Sequence, residues 1–386
     1  MMNVLVTGAR GFVGKNLIQA LFSIRDEMQL TVFEFGRETD KELLELYCKK
    51  ADFVFHLAGV NRPKEEAEFW EGNVRITEQL LDFLKRYNNT CPVLFSSSVQ
   101  AQIDNSYGKS KKAAEDLVFA YGRETGAKVY VYRFPNIFGK WCKPNYNSAI
   151  ATFCHNIARG LPIKVDNASA RMRLVYIDDV VEEMISAMRG ETKLDEHGFA
   201  CVSTEYSVVL GDVVEMIYAF RSGRETREVP DVTVGSLSKK MYATYLSYLP
   251  ETAFSYPLKM NVDERGSFTE IFRTKERGQF SVNVSKPGIT KGEHWHNTKN
   301  EKFVVVSGSA LIQFRKVGID TKTGHSYPVI EYRVSGDNME VVEIPAGYTH
   351  NIINIGDSDL ITVMWNSDCF DPNNPDTYFL KVEEER

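Results

Sequence analysis

The sequence predicts an α/β domain built on a doubly wound parallel sheet, followed by an all-β barrel. Three observations point there. Over the first part of the chain, short apolar runs alternate with amphipathic segments. A glycine-spaced turn, VTGARGFVGKNL, joins the first run to the first amphipathic segment. Beyond about residue 250 helical periodicity gives way to short β-branched and aromatic runs separated by Gly, Pro and Asn.

NVLVTG (3–8), LTVFEFG (30–36), DFVFHLAG (52–59) and PVLFSSS (92–98) are near-continuous apolar runs, as expected of strands buried on both faces of a parallel sheet. Between them, KNLIQALF and RITEQLLDFLKRY space their apolar residues as helices do. The result is a βαβ series with right-handed crossovers. From 140 to 245 the pattern is less regular. DVVEEMISAM keeps a helical stripe through Val180, Val181, Met184, Ile185 and Met188, and this region is assigned to a smaller lobe packed on the sheet. The first domain is thus placed at 1–250 and the second at 251–386. Their joint lies in YATYLSYLPETAFSYPLKM, whose Tyr242, Tyr245 and Tyr248 are read as filling a seam between domains. In the second domain QFSVNVSK, KFVVVSGSALIQFRK, VIEYRVSG and MEVVEIPAG are expected to be strands of a barrel or sandwich.

Composition excludes several functions. A net charge of -6 argues against a general nucleic-acid binder. No run approaches the roughly 18 apolar residues that a membrane span requires. MMNVLVTG enters a strand at once, without a basic or apolar leader, so a cytoplasmic protein is expected. The six cysteines are scattered singly and are read as reduced thiols.

In the glycine turn, Gly8 permits a tight bend, Gly11 lets a pyrophosphate approach the backbone, and Gly14 lets helix and strand pack closely. The helix start offers free N–H groups to phosphates. The expected cofactor contacts are Gly8, Arg10, Gly11, Phe12, Val13 and Gly14, with Arg37 and the strand-end residues Leu57, Ala58 and Gly59. Tyr107 and Lys111, four apart in SYGKSKKAAED, share one face of a predicted helix. Alone, such a pair is usually a solvated helix face; beside a glycine turn and the SSS run it reads as chemistry. A phenol of pKa about 10 is a poor proton carrier near neutrality, and a nearby ammonium or cationic nicotinamide favours its ionised form. Ser98, preferred over Ser97, is expected to hold a substrate oxygen. Glu34 favours NAD through a ribose hydroxyl, whereas Arg10 and Arg37 favour a 2′-phosphate, and the two arginines tip the expectation to NADPH.

These residues resemble the extended short-chain dehydrogenase/reductase family, whose T-G-x-x-G-x-x-G turn and Ser…Tyr-x-x-x-Lys set match Thr7–Gly14, Ser98, Tyr107 and Lys111. The resemblance covers roughly 1–245, with YRFPNIFG (132–139) and RLVYIDDVV (173–181) similar to later family segments. It implies a Rossmann-type fold, a nucleotide-sugar substrate, and hydride transfer at a sugar carbon. Tyr107 and Lys111 would then also contact the cofactor. The serine-to-tyrosine spacing is shorter than the family's. Its arginine before the Tyr-Asp segment is out of register, leaving Arg171 and Arg173 as loose phosphate candidates. Asn136, Arg173 and Arg265 are the nominated substrate contacts.

Residues two apart on a strand face the same way, so His294 and His296 project together. Glu301 opens the next apolar run, and His350 follows a Pro-x-Gly turn. Three imidazoles and a carboxylate make a cage for a divalent transition metal, although a lone His-x-His would usually be two unrelated surface histidines. The spacing decides. Gly288, His294, His296, Glu301 and Gly308 resemble the first cupin motif, and Pro345, Gly347, His350 and Asn354 most of the second, with its leading glycine displaced to Gly336. This resemblance covers about 255–386 and implies a cupin barrel; zinc is the expected metal, and manganese, iron and nickel suit the same ligands. DERGSFTE and GITKGEH further resemble sugar-nucleotide 3,5-epimerases, which carry an arginine at the position of Lys291 and a catalytic histidine at that of His294. With His294 assigned to metal, Lys291 is nominated as proton acceptor.

The halves combine chemically. A ketone at C4 acidifies the C3 proton of a hexose, and reducing that ketone afterwards fixes the new configuration, so epimerisation precedes reduction. The paired architecture resembles bifunctional capsular-polysaccharide enzymes. That implies C3 epimerisation of UDP-2-acetamido-2,6-dideoxy-4-hexulose, then NADPH reduction to UDP-2-acetamido-2,6-dideoxy-L-talose, toward UDP-N-acetyl-L-fucosamine, by a homodimer joined through the cupin. The competing expectations are a reductase with a structural, dimerising barrel, and an NADP(H)-binding sensor without turnover.

Overall fold

The apolar runs of the first part form one parallel sheet in the order Leu30–Phe35, Met2–Thr7, Phe53–His56, Val93–Ser98, Val129–Phe134 and Phe199–Ala200. Alternate side chains of each strand feed opposite layers. Val4 and Val6 pack with Leu17, Leu21 and Met184 on one face. Leu5 and Val54 pack with Leu80, Leu84 and Val118 on the other. Both faces are therefore covered, which is why these strands read as unbroken apolar runs. The strand order reverses at Met2–Thr7, whose neighbours are the second and third strands in sequence. Ligands of open α/β sheets bind at such a reversal, beyond the carboxyl ends of the strands.

The computed structural model describes residues 1–383 and divides into two units: Met1–Ala219 with Val234–Glu251, and Phe220–Thr233 with the chain from Thr252 onward. A small sheet of Asn136–Phe138, Arg171–Tyr176 and Tyr206–Val209 belongs to the first unit. Tyr245 and Tyr248, expected in a seam, are buried in this unit's own structure. The Tyr248 hydroxyl donates to the carbonyls of Cys142 (2.6 Å) and Gly139 (3.2 Å), anchoring the C-terminal helix Leu237–Ser247.

In the second unit a six-stranded sheet runs Met260–Asp263, Gly266–Thr274, Gly278–Ser285, Leu360–Asn366, Glu301–Ser307, Val341–Ile344. A five-stranded sheet runs Ile330–Ser335, Ser309–Lys316, Tyr348–Asn354, Thr290–Trp295, Tyr378–Phe379. All their pairings are antiparallel. Phe303, Val305, Ile312, Phe314, Ile352 and Leu360 fill the space between them. Segment 220–233 joins this unit through backbone hydrogen bonds between Arg273 and both Arg227 and Val229, and Glu270 lies between the guanidinium groups of Arg273 and Arg227. Among the described residues no helix is long and apolar enough to cross a membrane, and the six cysteines are unpaired.

One buried ion pair ties the first sheet to the helix Ser106–Thr125. Arg133 grips Glu115 through two hydrogen bonds of 2.8 and 2.6 Å, and the Ser97 hydroxyl donates to the same carboxylate at 2.6 Å. Breaking such a pair from one side strands the other charge. Glu115→Ala should therefore lower the stability of the first unit by about 3 kcal/mol, read as a lower urea midpoint.

Candidate functional site

The glycine turn is built as a cradle. Gly8 has φ +68°, and a Cβ there would lie 2.8 Å from the Ala58 amide and the Leu57 carbonyl. A Cβ on Gly14 would lie 2.3 Å from the Gly8 carbonyl oxygen. The helix Phe12–Ser23, which contains Val13, starts at Gly11 without a side-chain cap, so its first amides are available to an anion. Arg10 pairs with Glu38 on the exposed rim, where Arg37 and Glu34 are also exposed. These features fit a dinucleotide.

Beneath the cradle runs a polar chain that sequence reading missed. The Thr7 hydroxyl accepts from the amides of Leu57 and Ala58 (3.2 Å each) and therefore donates to His56 Nδ1 at 2.7 Å. His56 Nε2–H then donates to Thr77 (2.8 Å), whose hydroxyl donates to the Asn73 carbonyl (2.6 Å). This network assigns the tautomer. Burial pushes the His56 pKa down to about 3, so the ring stays neutral. HLAG signalled small residues near a cofactor; nothing in the motif showed that its histidine supports them.

Asn105 caps the helix Ser106–Thr125 by accepting from the Gly108 amide at 2.7 Å. Strand alternation separates the candidate serines. Ser97 is occupied by Glu115, whereas the Ser98 hydroxyl stands by the Tyr107 phenol and acts to lower its pKa. Lys111, 6% exposed, donates to the Ser96 carbonyl at 2.7 Å, and a Cβ on Gly59 would stand 3.3 Å from its ammonium. Ser98, Tyr107, Lys111 and Gly59 thus come together. One expectation is corrected: burial holds the Tyr107 phenol above its ordinary pKa, with the Ser98 hydroxyl opposing it. The ammonium that was to lower it points at a carbonyl instead. Asn136 donates to the Arg173 carbonyl (3.3 Å), while the Arg173 guanidinium is held by Glu205 (2.7 Å).

In the second unit the donor atoms of His294, His296, Glu301 and His350 lie within 4.8 Å of one another. Glu301 Oε2 is 3.4 Å from His296 Nε2 and 3.2 Å from His350 Nε2. These contacts lack hydrogen-bond geometry, and the three atoms are buried without a hydrogen-bond partner. Orphaned polar atoms are costly, and a cation satisfies all three at once. His296 Nδ1–H donates to the Asp376 carbonyl at 2.6 Å, leaving Nε2 with its lone pair toward the cluster. Asn366 hydrogen-bonds the other Glu301 oxygen. The set fits a divalent transition metal.

Lys291 and His294 are three residues apart, so a regular strand would face them oppositely. The strand is not regular. Gly292 pairs with Asn351 and His294 with His350, leaving Glu293 unpaired at φ +61°. This bulge returns Lys291 and His294 to one face. Both line a cavity of about 630 Å³ with Glu301, His350, Asp263 and Arg265. Lys291 donates to Asn283 Oδ1 and the Val284 carbonyl, 2.8 Å each, and burial lowers its pKa. Arg265 is paired with Asp263 at 2.6 Å.

Two expectations follow from this geometry. Burial pulls Lys111 down from 10.5 to about 8. Between those values the folded chain binds fewer protons than the unfolded one, so stability rises with pH across that window. Urea midpoints at pH 7.5 and 10 should therefore diverge in favour of the parent chain over Lys111→Met. Gly292 has φ +100°, and a Cβ there would lie 2.8 Å from the His350 carbonyl; Gly292→Ala should cost about 2 kcal/mol, seen as a lower melting temperature of the second unit.

Comparison with known proteins finds relatives of both units. Residues 4–198 match the NAD dependent epimerase/dehydratase family, and 261–378 match the polysaccharide biosynthesis C-terminal domain. A Pseudomonas aeruginosa protein named UDP-2-acetamido-2,6-beta-L-arabino-hexul-4-ose reductase is 43% identical over 383 residues, 99% of this chain and 100% of that one. The Bacillus subtilis spore coat polysaccharide biosynthesis protein SpsL is 27% identical over 133 residues, 33% of this chain and 87% of its own. The crystal structure of the capsular polysaccharide assembling protein CapF from Staphylococcus aureus shares 52% identity at a TM-score of 0.91, covering 99% of this chain and 100% of that one. The chain belongs to the NAD-dependent epimerase/dehydratase family, as an extended short-chain dehydrogenase/reductase fused to a cupin in the manner of CapF.

Proposed function

We propose that the chain is a bifunctional nucleotide-sugar enzyme of capsular polysaccharide synthesis. The second unit epimerises C3 of UDP-2-acetamido-2,6-dideoxy-4-hexulose, and the first reduces the C4 ketone with NADPH to UDP-2-acetamido-2,6-dideoxy-L-talose, toward UDP-N-acetyl-L-fucosamine. The name of the Pseudomonas relative supports the reductase half. The observation that supports the epimerase half is the cavity lined by Lys291 together with His294, Glu301 and His350 of the four-residue cluster. A barrel that served only for pairing would need neither. Zinc as the metal, and a homodimer joined through the barrel in the cytoplasm, belong to the same proposal.

In the cavity Lys291 takes the C3 proton, with Asn283 and the Val284 carbonyl fixing its amine. The metal, when bound by His294, His296, Glu301 and His350, supplies a fixed positive charge there. Return of a proton to the opposite face of C3 inverts it. In the first unit Ser98 holds the C4 oxygen while Tyr107 donates its proton to it. NADPH, when bound over the glycine turn, supplies the hydride. Lys111, its ammonium held by the Ser96 carbonyl, stands beside Gly59 and presents its charge to the cofactor side of the site.

Proton NMR of the 4-keto substrate in D2O tests this directly. Without NADPH the C3 signal should disappear; adding NADPH should then give a reduced sugar. Tyr107→Phe should slow reduction at least about 100-fold while C3 exchange persists, whereas Lys291→Met should lose C3 exchange and, with it, reduction of the supplied substrate. Reduction without prior exchange would leave a reductase carrying a structural barrel.

A further inference from the structure

The reaction scheme leaves one strongly held carboxylate unused. Asp376 has φ +43°, in the left-handed region. Its side chain accepts from the amides of Asn297 (2.9 Å), Thr298 (2.9 Å) and Lys299 (3.0 Å) and from the Thr298 hydroxyl (3.0 Å). Its own carbonyl accepts the proton of His296 Nδ1. One residue therefore grips the turn that follows His296 and also orients the ring of His296.

The chain beyond Asp376 continues along the metal-ligand strand. Tyr378 and Phe379 pair with Trp295 and His294. The Leu380 amide donates to the Glu293 carbonyl (2.9 Å), and the Val382 amide donates to the Glu293 carboxylate (2.7 Å), so the bulge is held as well. Buried Arg315 fixes this strap by donating to the carbonyls of Val382 (2.7 Å) and Lys381 (2.8 Å).

The partner of a ligand histidine's second nitrogen sets its tautomer and ring direction, and losing it typically weakens metal binding about 10- to 100-fold. Here that partner is a backbone oxygen, which has no side chain of its own to vary. What holds the oxygen in place is the Asp376 carboxylate clamped to three amides. A left-handed non-glycine backbone persists only where its surroundings over-determine it, and this clamp does so. We infer that Asp376 is a positioning residue of the metal centre, acting through His296; the inference rests on the metal-binding reading of the four-ligand cluster.

Full-length protein loaded with Co2+ and chased with a chelator reads metal release without turnover. Asp376→Ala should release Co2+ about 10- to 100-fold faster than the parent chain, with altered visible bands. Asp376→Asn tolerates the same backbone and keeps one acceptor, so it should fall between. Glu343→Gln removes an exposed carboxylate paired with Lys302 and should match the parent. Unchanged bands and a release rate within about twofold of the parent's for Asp376→Ala would overturn the assignment, a threshold well below the expected effect. If that variant does not fold, the same criterion applied to Asp376→Asn decides. A parent chain that binds no Co2+ would overturn the metal reading together with this one.

Discussion

Parity governs the second unit. Side chains alternate along a strand, so residues an odd number apart are on opposite faces unless the strand carries an extra residue. Glu293 is that residue. It is why Lys291 and His294 line one cavity, and why the ligand pair His294/His296 sits opposite Glu301 and His350 while a lysine reaches the same space. The surrounding structure is arranged to keep it: Gly292 accommodates the turn at positive φ, and Asn351 and Val382 both donate to the Glu293 carboxylate.

What the sequence made legible were patterns whose period matches the element that bears them. Apolar runs predicted the parallel sheet because both its faces are covered, and three glycines predicted the cradle because each meets backbone within 3.1 Å of where its Cβ would stand. His294, His296, Glu301 and His350 were readable as a cluster because their residue types and spacing form one pattern, and the fold brings their donor atoms within 4.8 Å of one another. Gly292 gave no warning of a bulge, since glycines mark many turns. Asp376 lies 80 residues from His296 and contributes a backbone oxygen, which any residue possesses. His56 was given no role because only the fold brings Thr7 and Thr77 to its two nitrogens.

The two sites handle charge in opposite ways. Beneath the dinucleotide cradle every polar atom of the Thr7–His56–Thr77 chain has a partner, and burial keeps the imidazole neutral. Such a support is rigid and inert. In the barrel, by contrast, buried nitrogen and oxygen atoms face one another without hydrogen bonds. That arrangement is unfavourable by itself and becomes favourable only when a cation is shared among them. One unit supports its glycine turn with polar groups that are already satisfied; the other keeps buried polar atoms that hydrogen bonds within the chain leave unsatisfied.

Segment 220–233 clusters with the barrel although residues on both sides of it, through Ala219 and from Val234, belong to the first unit. The polypeptide therefore passes between the units three times rather than once. No single cut in the gene yields both halves whole: a barrel begun at residue 252 would lack Arg227, one of the two guanidinium groups beside Glu270. A simple end-to-end fusion of two free-standing genes would have left one crossing. The extra two mean that excising either half at one point of the chain would carry away a piece of the other.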